Sequence, residues 1–350
     1  MTTTVLLLAM AGFLVLMFAW GFRCLQTERF QFLCTVPAAK QADGSWSGLN
    51  LTYYGVFNAV ACVLAVTVLY TLMGSVSISP GGTTLVVAPI LFLCLPASRI
   101  IARWVEGKRF TFSIGGAAFV GILATPGLVL IIHWLFDSWS ESTMPVITVL
   151  AASAIAYAFG EGVGRLACVS FGCCYGKPLS SFSPRVRRIL TPFSFTFTGE
   201  TKKIAYASHL DGEKIFPIQG FTSVICCTAG MAGTVLFMAG MHRTAFILAL
   251  TVTQLWRFVS EFLRADYRGG FKISAYQIMS LISVAYSVVI LFFFQSPPAE
   301  VVDLVRGARM LWSPGMILTL QGLWLITFYR TGRSDVTGST VSFHVREDRI

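Results

Sequence analysis

Charged residues are scarce in this chain. Only 12% of its 350 residues are Asp, Glu, Lys or Arg, whereas 55% are hydrophobic. Soluble globular domains carry about twice that fraction of charged residues. The composition therefore excludes an ordinary soluble domain and predicts a polytopic membrane protein.

Cofactor and nucleic-acid motifs are also missing. The chain has no nucleotide-binding glycine loop, no redox motif and no segment that resembles a nucleic-acid module. We therefore predict no cofactor and no nucleic-acid partner.

The cysteines do not predict a disulfide scaffold, because several lie in hydrophobic runs, where thiols behave as small apolar groups. These are Cys62, Cys94, Cys226 and Cys227. Cys24 and Cys34 share one loop and either form a disulfide or remain thiols. Cys173 and Cys174 lack the two-residue gap of a zinc clip and have no histidine nearby in sequence, so we expect no metal site.

Nine apolar runs are long enough to span a bilayer, which takes about 17 to 25 residues. They lie near residues 4–20, 50–73, 83–100, 112–135, 145–164, 219–240, 243–263, 274–294 and 312–328. The first run has no basic segment before it and no small-residue cleavage site after it, so we interpret it as a retained helix rather than a cleaved signal peptide. The prediction is an all-α polytopic membrane protein with about seven core helices and up to two extra ones.

One long polar insertion, residues 177–216, interrupts the apolar runs. It is rich in Arg and Lys, and Phe193, Phe195 and Phe197 alternate with polar residues as in a short half-buried strand. We predict a small β-containing extramembrane head here, whose charge attracts anionic headgroups. The predicted domains are an N-terminal helix and loop at 1–49, a membrane domain at 50–295 that holds the head, and a C-terminal helix and polar tail at 296–350.

Unusual polar residues end or begin several runs. If the nine runs alternate across the bilayer, all of these residues lie at the same membrane face, as a shared site requires. They are Tyr53, Tyr54, Gly55, Ser113 to Gly116, Glu161, Arg165, Arg257, Glu261 and Gln277.

Two pairs of opposite charge stand out among them. Glu161 precedes Arg165 by four residues, and Arg257 precedes Glu261 by four, so each pair can meet on one side of a helix. An ionisable residue in a spanning segment costs about 2.5 to 3.5 kcal/mol to insert. Each pair is either a structural salt bridge or part of a site, and two pairs on one face favour a site. Because arginine binds phosphate bidentately, we predict an anionic phospholipid ligand.

Five separated motifs carry a resemblance to a known family. They are Tyr54-Gly55, Gly164-Arg165 through Cys173-Cys174-Tyr175-Gly176-Lys177-Pro178, Pro217-Ile218-Gln219, Arg257-Phe258-Val259-Ser260-Glu261-Phe262-Leu263-Arg264, and Ser274 to Ser280 around Gln277. Over about residues 50–295 the chain resembles the bacterial prolipoprotein diacylglyceryl transferases. These move diacylglycerol from phosphatidylglycerol onto the lipobox cysteine of a prelipoprotein.

The resemblance implies a phospholipid-dependent transferase of the bacterial cytoplasmic (inner) membrane, with a prelipoprotein as acceptor. Its implied catalytic residues are Arg165, Arg257, Glu261 and Tyr54. The implied substrate-binding residues are Gly115, Gly116, Glu161, Gly164, Cys168, Cys173, Gly176, Gln219, Arg264 and Gln277.

The chain departs from the family pattern at several positions. Ile114 stands where the family usually has a histidine, Cys168 and Cys173 stand where it has asparagine and glutamate, and Gly220 to Thr222 replace Leu-Tyr-Glu. The general base is left open among Glu261, Glu161 and Tyr54. Cys173 and Cys174 are either nucleophiles or small residues in a tight turn. A non-catalytic phospholipid-binding protein on the same scaffold is the alternative function.

Orientation brings two arguments into conflict. The loops on the face of the predicted site, including the head, hold most of the Lys and Arg, whereas the opposite loops offer only Arg243, Arg306 and Arg309. The positive-inside rule makes the richer face cytoplasmic. The resemblance implies that it faces the periplasm, and we predict the periplasmic orientation.

Overall fold

The computed structural model describes residues 2–107, 113–136, 144–267, 273–295 and 302–350. The helices in this part of the chain are α1 (Thr2–Cys24), α2 (Tyr53–Ser75), α3 (Pro80–Glu106), α4 (Ile114–Phe136), α5 (Val146–Phe171), α6 (Pro184–Leu190), α7 (Lys203–Ser208), α8 (Ile218–Met238), α9 (His242–Glu261), α10 (Ala275–Phe293), α11 (Leu304–Met310) and α12 (Pro314–Gly332). The strands are β1 (Phe32–Lys40), β2 (Trp46–Thr52), β3 (Phe195–Thr196), β4 (Lys214–Ile215) and β5 (Arg333–Val341).

The predicted all-α membrane architecture is confirmed. Within the described residues, seven helices are long and apolar enough to cross a membrane: α1, α2, α3, α4, α5, α8 and α10. The pair α11 and α12 adds an eighth span if it is counted as one helix bent by 75°. The predicted run at 243–263 forms α9, which is less apolar than these because it carries the polar residues of the site described below.

Helix α5 is the centre of the bundle. It is buried along most of its length and packs against α2, α8 and α9. Glycines on α8 allow this close approach, since a side chain at Gly230 would meet the ring of Phe159 and one at Gly233 would meet Ile155. Such contacts between small residues are typical of helix packing in membranes.

The most exposed tryptophans mark the ends of the bundle. Trp104 lies near the end of α3, Trp134 near the end of α4 and Trp312 just before α12. Tryptophan is enriched where a protein meets the membrane surface, because its ring is apolar and its N–H is polar.

A three-stranded antiparallel sheet, with strand order β1-β2-β5, joins segments from the two ends of the chain. The sequence analysis described these segments only as a loop and a polar tail. Asn50 on β2 links all three strands, because it accepts from Thr35 at 2.7 Å and donates to the carbonyl of Thr337 at 3.1 Å. The pairing was missed because β2 and β5 are far apart in sequence and lack a strong apolar alternation.

The predicted head between residues 177 and 216 is small and contains the two-stranded ribbon β3-β4. The strand is shorter than the predicted segment, since Phe193 ends a 3-10 turn that contains Pro192. Lys202 fixes the head to the bundle by donating from Nζ to the carbonyls of Ser170 at 2.7 Å and Leu25 at 3.1 Å. The segment after α1 thus supports the head.

The chain order places one set of helix ends beside the head. The start of α2, the end of α5, the end of α9 and the start of α10 all lie at this end, which we call the head end. Cys24 and Cys34 are free thiols in the segment that leads to it.

Candidate active site

Two buried arginines converge on one carboxylate at the head end. Arg165 lies one turn after Glu161 on α5, and the two side chains form an ion pair. Arg257 on α9 reaches the same Glu161 oxygen, Oε1, at 2.9 Å. Glu161 is only 5% exposed and Arg165 only 8% exposed. Charges so deeply buried are costly unless they are paired or serve a ligand.

Tyr157 completes this cluster. Arg257 donates from Nη2 to its hydroxyl at 2.9 Å. Tyr157, Glu161 and Arg165 are spaced by four residues on α5, so one face of the helix presents all three. The sequence analysis missed Tyr157, although the same spacing that selected the Glu161 pair was present in the sequence.

The expected pairing of Arg257 with Glu261 is replaced by a different one. Arg257 extends across the helix interface to Glu161, whereas Glu261 lies 3.7 Å from Arg264 and accepts from Ser274 Oγ at 3.2 Å. The segment after α9 causes the exchange, because it brings Arg264 and Ser274 to the carboxylate of Glu261.

Arg264 is itself held by a second carboxylate. It donates from Nε and Nη2 to Asp266, each at 2.8 Å. Burial disfavours its charged form, but Asp266, Cys174 and Glu261 together outweigh burial and raise the pKa of Arg264.

Several polar atoms of the cluster have no partner among the described residues. Glu161 Oε2, Arg165 Nε and Arg257 Nε are buried without a hydrogen bond. A small polar cavity lies between these atoms and the side chains of Thr222, Trp256 and Cys226. These three residues were not predicted as site residues from the sequence. Two guanidiniums with unpartnered Nε donors suit an anionic group such as a phosphate.

A larger apolar cavity of about 270 Å³ adjoins this cluster. Side chains from five helices line it, among them Leu69, Val87, Leu91, Ile122, Leu150 and Leu250. Tyr157 lines this cavity and also accepts from Arg257, so apolar space and buried positive charge meet at one residue. This arrangement matches a phospholipid, whose apolar acyl chains lie next to a charged phosphate.

Three thiols gather directly beside the arginines. The Sγ atoms of Cys168, Cys173 and Cys174 all lie within 4.8 Å of one another. Arg165 Nη1 is 3.9 Å from Cys168 Sγ, so it touches both the thiols and the ion-paired cluster. This group was not predicted from the sequence spacing, because only the turn at the end of α5 brings Cys168 close to Cys173 and Cys174.

The backbone of that turn is unusual. Gly172, which follows the last residue of α5, has a φ of +69°. Cys174 has a φ of +56°, a left-handed conformation that is uncommon without glycine. The Cys173 N–H donates to the carbonyl of Cys168 at 3.0 Å. Gln219 Nε2 donates to the carbonyl of Cys173 at 2.9 Å, which gives this predicted site residue a positioning contact.

The surroundings of Cys173 argue against its use as a free nucleophile. Hydrogen bonds with Cys168 and Cys174, together with burial, raise the pKa of Cys173 well above its usual value. Tyr54 lies within electrostatic range of all three thiols and packs against Phe171.

The predicted site glycines divide into two groups. A side chain at Gly115 would come within 2.5 Å of Arg257 Nη1, so this glycine makes room for the arginine. Gly176 packs against the carbonyl of Phe216 and pairs with Arg264 in a β-bridge. Gly116 and Gly164 instead face Ile101 and Ala61 of neighbouring helices.

Gln277 has a structural contact. With Ser274 it forms a capping box at the start of α10, and its Nε2 donates to the carbonyl of Phe258 at 3.2 Å. This contact fixes α10 to the end of α9, where Glu261 lies, so Gln277 supports the site indirectly.

A family model described as prolipoprotein diacylglyceryl transferase matches residues 45–293 of the chain. The matched segment includes the helices from α2 to α10, both buried arginines and the thiols. A comparison with curated proteins gives no significant match. Because the match covers well over half of the chain, the chain belongs to the prolipoprotein diacylglyceryl transferase family, which performs diacylglyceryl transfer in lipoprotein biogenesis.

Proposed function

We propose that this protein transfers the diacylglyceryl group of phosphatidylglycerol to the cysteine thiol of a prelipoprotein, at the periplasmic surface of the bacterial cytoplasmic membrane. The observation that carries the proposal is the contact between the apolar cavity and the arginine cluster through Tyr157. A phospholipid whose chain occupies the cavity has its phosphate beside Arg165 and Arg257.

The arginines stabilise the leaving group. As the acceptor sulfur attacks the glycerol carbon, the bond from that carbon to the phosphate oxygen breaks and glycerol phosphate leaves with the electron pair. Negative charge grows on the phosphate during this step, and fixed guanidiniums in a site of low dielectric stabilise it without reorganisation. Glu161 holds both arginines in place before the lipid arrives.

Deprotonation of the acceptor is the demanding step in this chain. Glu161 accepts from two arginines, and Glu261 is held by Arg264 and Ser274, so both carboxylates already serve to hold other groups. Ile114, at the family's histidine position, lines the apolar cavity. This substitution favours the second candidate function, a phospholipid-binding protein without transferase activity.

A release assay separates the two functions. Purified protein in vesicles that contain phosphatidylglycerol labelled in its headgroup is mixed with a lipobox peptide, and free glycerol phosphate is measured. We expect release that depends on the peptide and falls about 100-fold or more in Arg257→Ala, as for the loss of a charge-stabilising donor.

Arg243→Ala is the matched control. Arg243 lies on the same helix, α9, near its opposite end, and donates to the carbonyl of Leu291. Its replacement tests for general damage to the helix and should leave release unchanged. Lipid binding without release in the unmodified protein would contradict the transferase and support the non-catalytic alternative.

A further inference from the structure

We propose that Cys168, Cys173 and Cys174 bind one Zn²⁺ ion, and that the acceptor thiol occupies the fourth position of that ion. The inference rests on the proposed function for its acceptor and not for the metal site itself. It replaces the expectation of no metal, which depended on the spacing of the cysteines and on the lack of a histidine near them in sequence.

The three thiols are placed for one metal ion. Their Sγ atoms lie within 4.8 Å of one another. Tetrahedral zinc binds sulfur at about 2.3 Å, which puts ligand atoms about 3.8 Å apart. Small side-chain rotations therefore bring the three sulfurs to one ion. Three protein ligands with an open fourth position are typical of catalytic rather than structural zinc sites.

The fold holds the thiols in this arrangement. Cys168 comes from the last turn of α5, whereas Cys173 and Cys174 follow the turn at Gly172. The left-handed backbone of Cys174 costs conformational energy, and such strain is concentrated at functional sites. Gln219, from α8, fixes the carbonyl between the two adjacent cysteines.

The charges around the thiols suit a metal bound by three thiolates. Such a site carries one net negative charge, since Zn²⁺ neutralises two of the three thiolates. Arg165 contacts Cys168 Sγ at 3.9 Å. The cation of Lys203 lies within electrostatic range of Cys173 and Cys174, and that of Arg264 within range of Cys174. These cations compensate the remaining charge in a buried site.

A metal ion held by the thiols would lie beside the arginine cluster, because Arg165 contacts Cys168 and pairs with Glu161. A thiol that coordinates to zinc loses its proton, so the acceptor would bind there as a thiolate and give its proton to water. Its sulfur then forms the bond to the glycerol carbon, the carbon–oxygen bond to phosphate breaks, and glycerol phosphate leaves with that electron pair. The thioether product dissociates from zinc. In this way the metal supplies the activation that neither ion-paired carboxylate is placed to give.

Metal binding is tested directly by zinc content. Protein purified under reducing conditions is loaded with Zn²⁺, freed of excess metal and measured by mass spectrometry. We expect one zinc per chain, and loss of that zinc in Cys168→Ser and in Cys173→Ser. Cys227→Ser is the matched control, because Cys227 is a buried free thiol outside the cluster, and this variant should keep its zinc.

Cobalt tests the open position in the unmodified protein, which avoids variants that fail to fold. Co²⁺ loading should give a thiolate-to-cobalt charge-transfer band. This band should shift when a lipobox peptide is added, but not with the same peptide carrying serine in place of cysteine. No bound zinc, zinc retained in both cysteine variants, or two of the thiols isolated as a disulfide would overturn the metal site; an unshifted cobalt band would overturn the acceptor position.

The release assay keeps this inference separate from the proposed function. Bound zinc without glycerol phosphate release contradicts the transferase and leaves the metal site intact. Release that is equal in metal-free and zinc-loaded protein supports the transferase and contradicts the role of the metal. We expect at least a 10-fold loss of release on removal of zinc and its recovery on reloading.

Discussion

At the scale of single residues, Glu161 determines where both arginines lie. One of its oxygens accepts from Arg165 and from Arg257, which come from different helices. Sequence spacing identified the pair within α5, since both members lie one turn apart. It did not identify the partner of Arg257, because that contact depends on how α9 packs against α5. The same spacing also predicted a pair of Arg257 with Glu261 within α9, which does not form because Arg257 reaches Glu161 instead. Spacing within a helix therefore gives candidate pairs, and the packing of the helices decides which of them form.

Gly115 provides a direct test of arginine placement. The change Gly115→Ala makes a methyl group clash with Arg257 Nη1, since an added Cβ would be 2.5 Å from that atom. The guanidinium must move, and misplacement of a catalytic group by about 1 Å can cost about 100-fold in rate. We expect glycerol phosphate release to fall by 10- to 100-fold while the protein remains folded in thermal unfolding measurements.

The matched control lies on the same helix. Gly127 is also on α4, and a Cβ there would meet nothing within 4 Å, so Gly127→Ala should leave the rate unchanged. Equal rates in the two variants would show that Gly115 does not position Arg257.

At the scale of elements, Lys202 connects the head to the bundle. It is fully buried and donates to carbonyls from two separate segments, Leu25 and Ser170. Its ammonium also lies 5.9 Å from the centre of the Phe197 ring. The sequence suggested only a basic head that attracts lipid headgroups. A lysine that serves as a buried anchor cannot be distinguished by sequence from one that faces solvent, because only the fold determines its burial.

The anchor has a pH dependence that can be measured. Burial lowers the pKa of Lys202 to about 8 from its usual value of 10.5. Below pH 8 both the folded and the unfolded chain hold this proton, so the fold carries the full cost of a buried charge. Between about pH 8 and pH 10.5 the unfolded chain binds a proton that the folded chain has released, so the free energy of unfolding rises with pH.

We expect Lys202→Met to remove this rise. The measurement is the thermal unfolding temperature in detergent from pH 7 to pH 10, compared with Lys40→Met, which replaces an exposed lysine on β1. The difference in unfolding temperature between the unmodified protein and Lys202→Met should change across this range, while Lys40→Met follows the unmodified protein. Parallel curves for all three proteins would contradict the buried titration.

Larger elements differ in how far the sequence specified them. Long apolar runs identify most spanning helices, since the bilayer imposes both their length and their composition. The sheet β1-β2-β5 escaped prediction because β2 and β5 pair across the whole chain, as Asn50 does with Thr337, and because the local hairpin β1-β2 lacks a strong apolar alternation. The three-thiol group escaped for a related reason: the turn after Gly172, and not sequence spacing, brings Cys168 to Cys173 and Cys174.

At the scale of the whole molecule, the head end combines the site with most of the basic surface. Arg185, Arg187 and Arg188 lie on the short exposed helix α6. Together with the buried arginines, they make the head end strongly positive in a chain of net charge +10. Under the proposed function, part of this charge binds phospholipid headgroups, and it then biases any count of basic residues by membrane face. The positive-inside rule therefore has less weight here than in a protein without a lipid site.

A native cysteine tests the orientation that follows from this argument. Cys34 is an exposed free thiol on β1, at the head end. In intact spheroplasts, a membrane-impermeant maleimide should label the unmodified protein and should label Cys34→Ser much less. Labelling that remains in Cys34→Ser measures the reaction of other thiols, such as that of Cys24 on the same segment. Labelling of Cys34 only in inverted membrane vesicles would place the head end in the cytoplasm. Transfer to a prelipoprotein emerging into the periplasm would then be excluded, and the basic loops would follow the positive-inside rule.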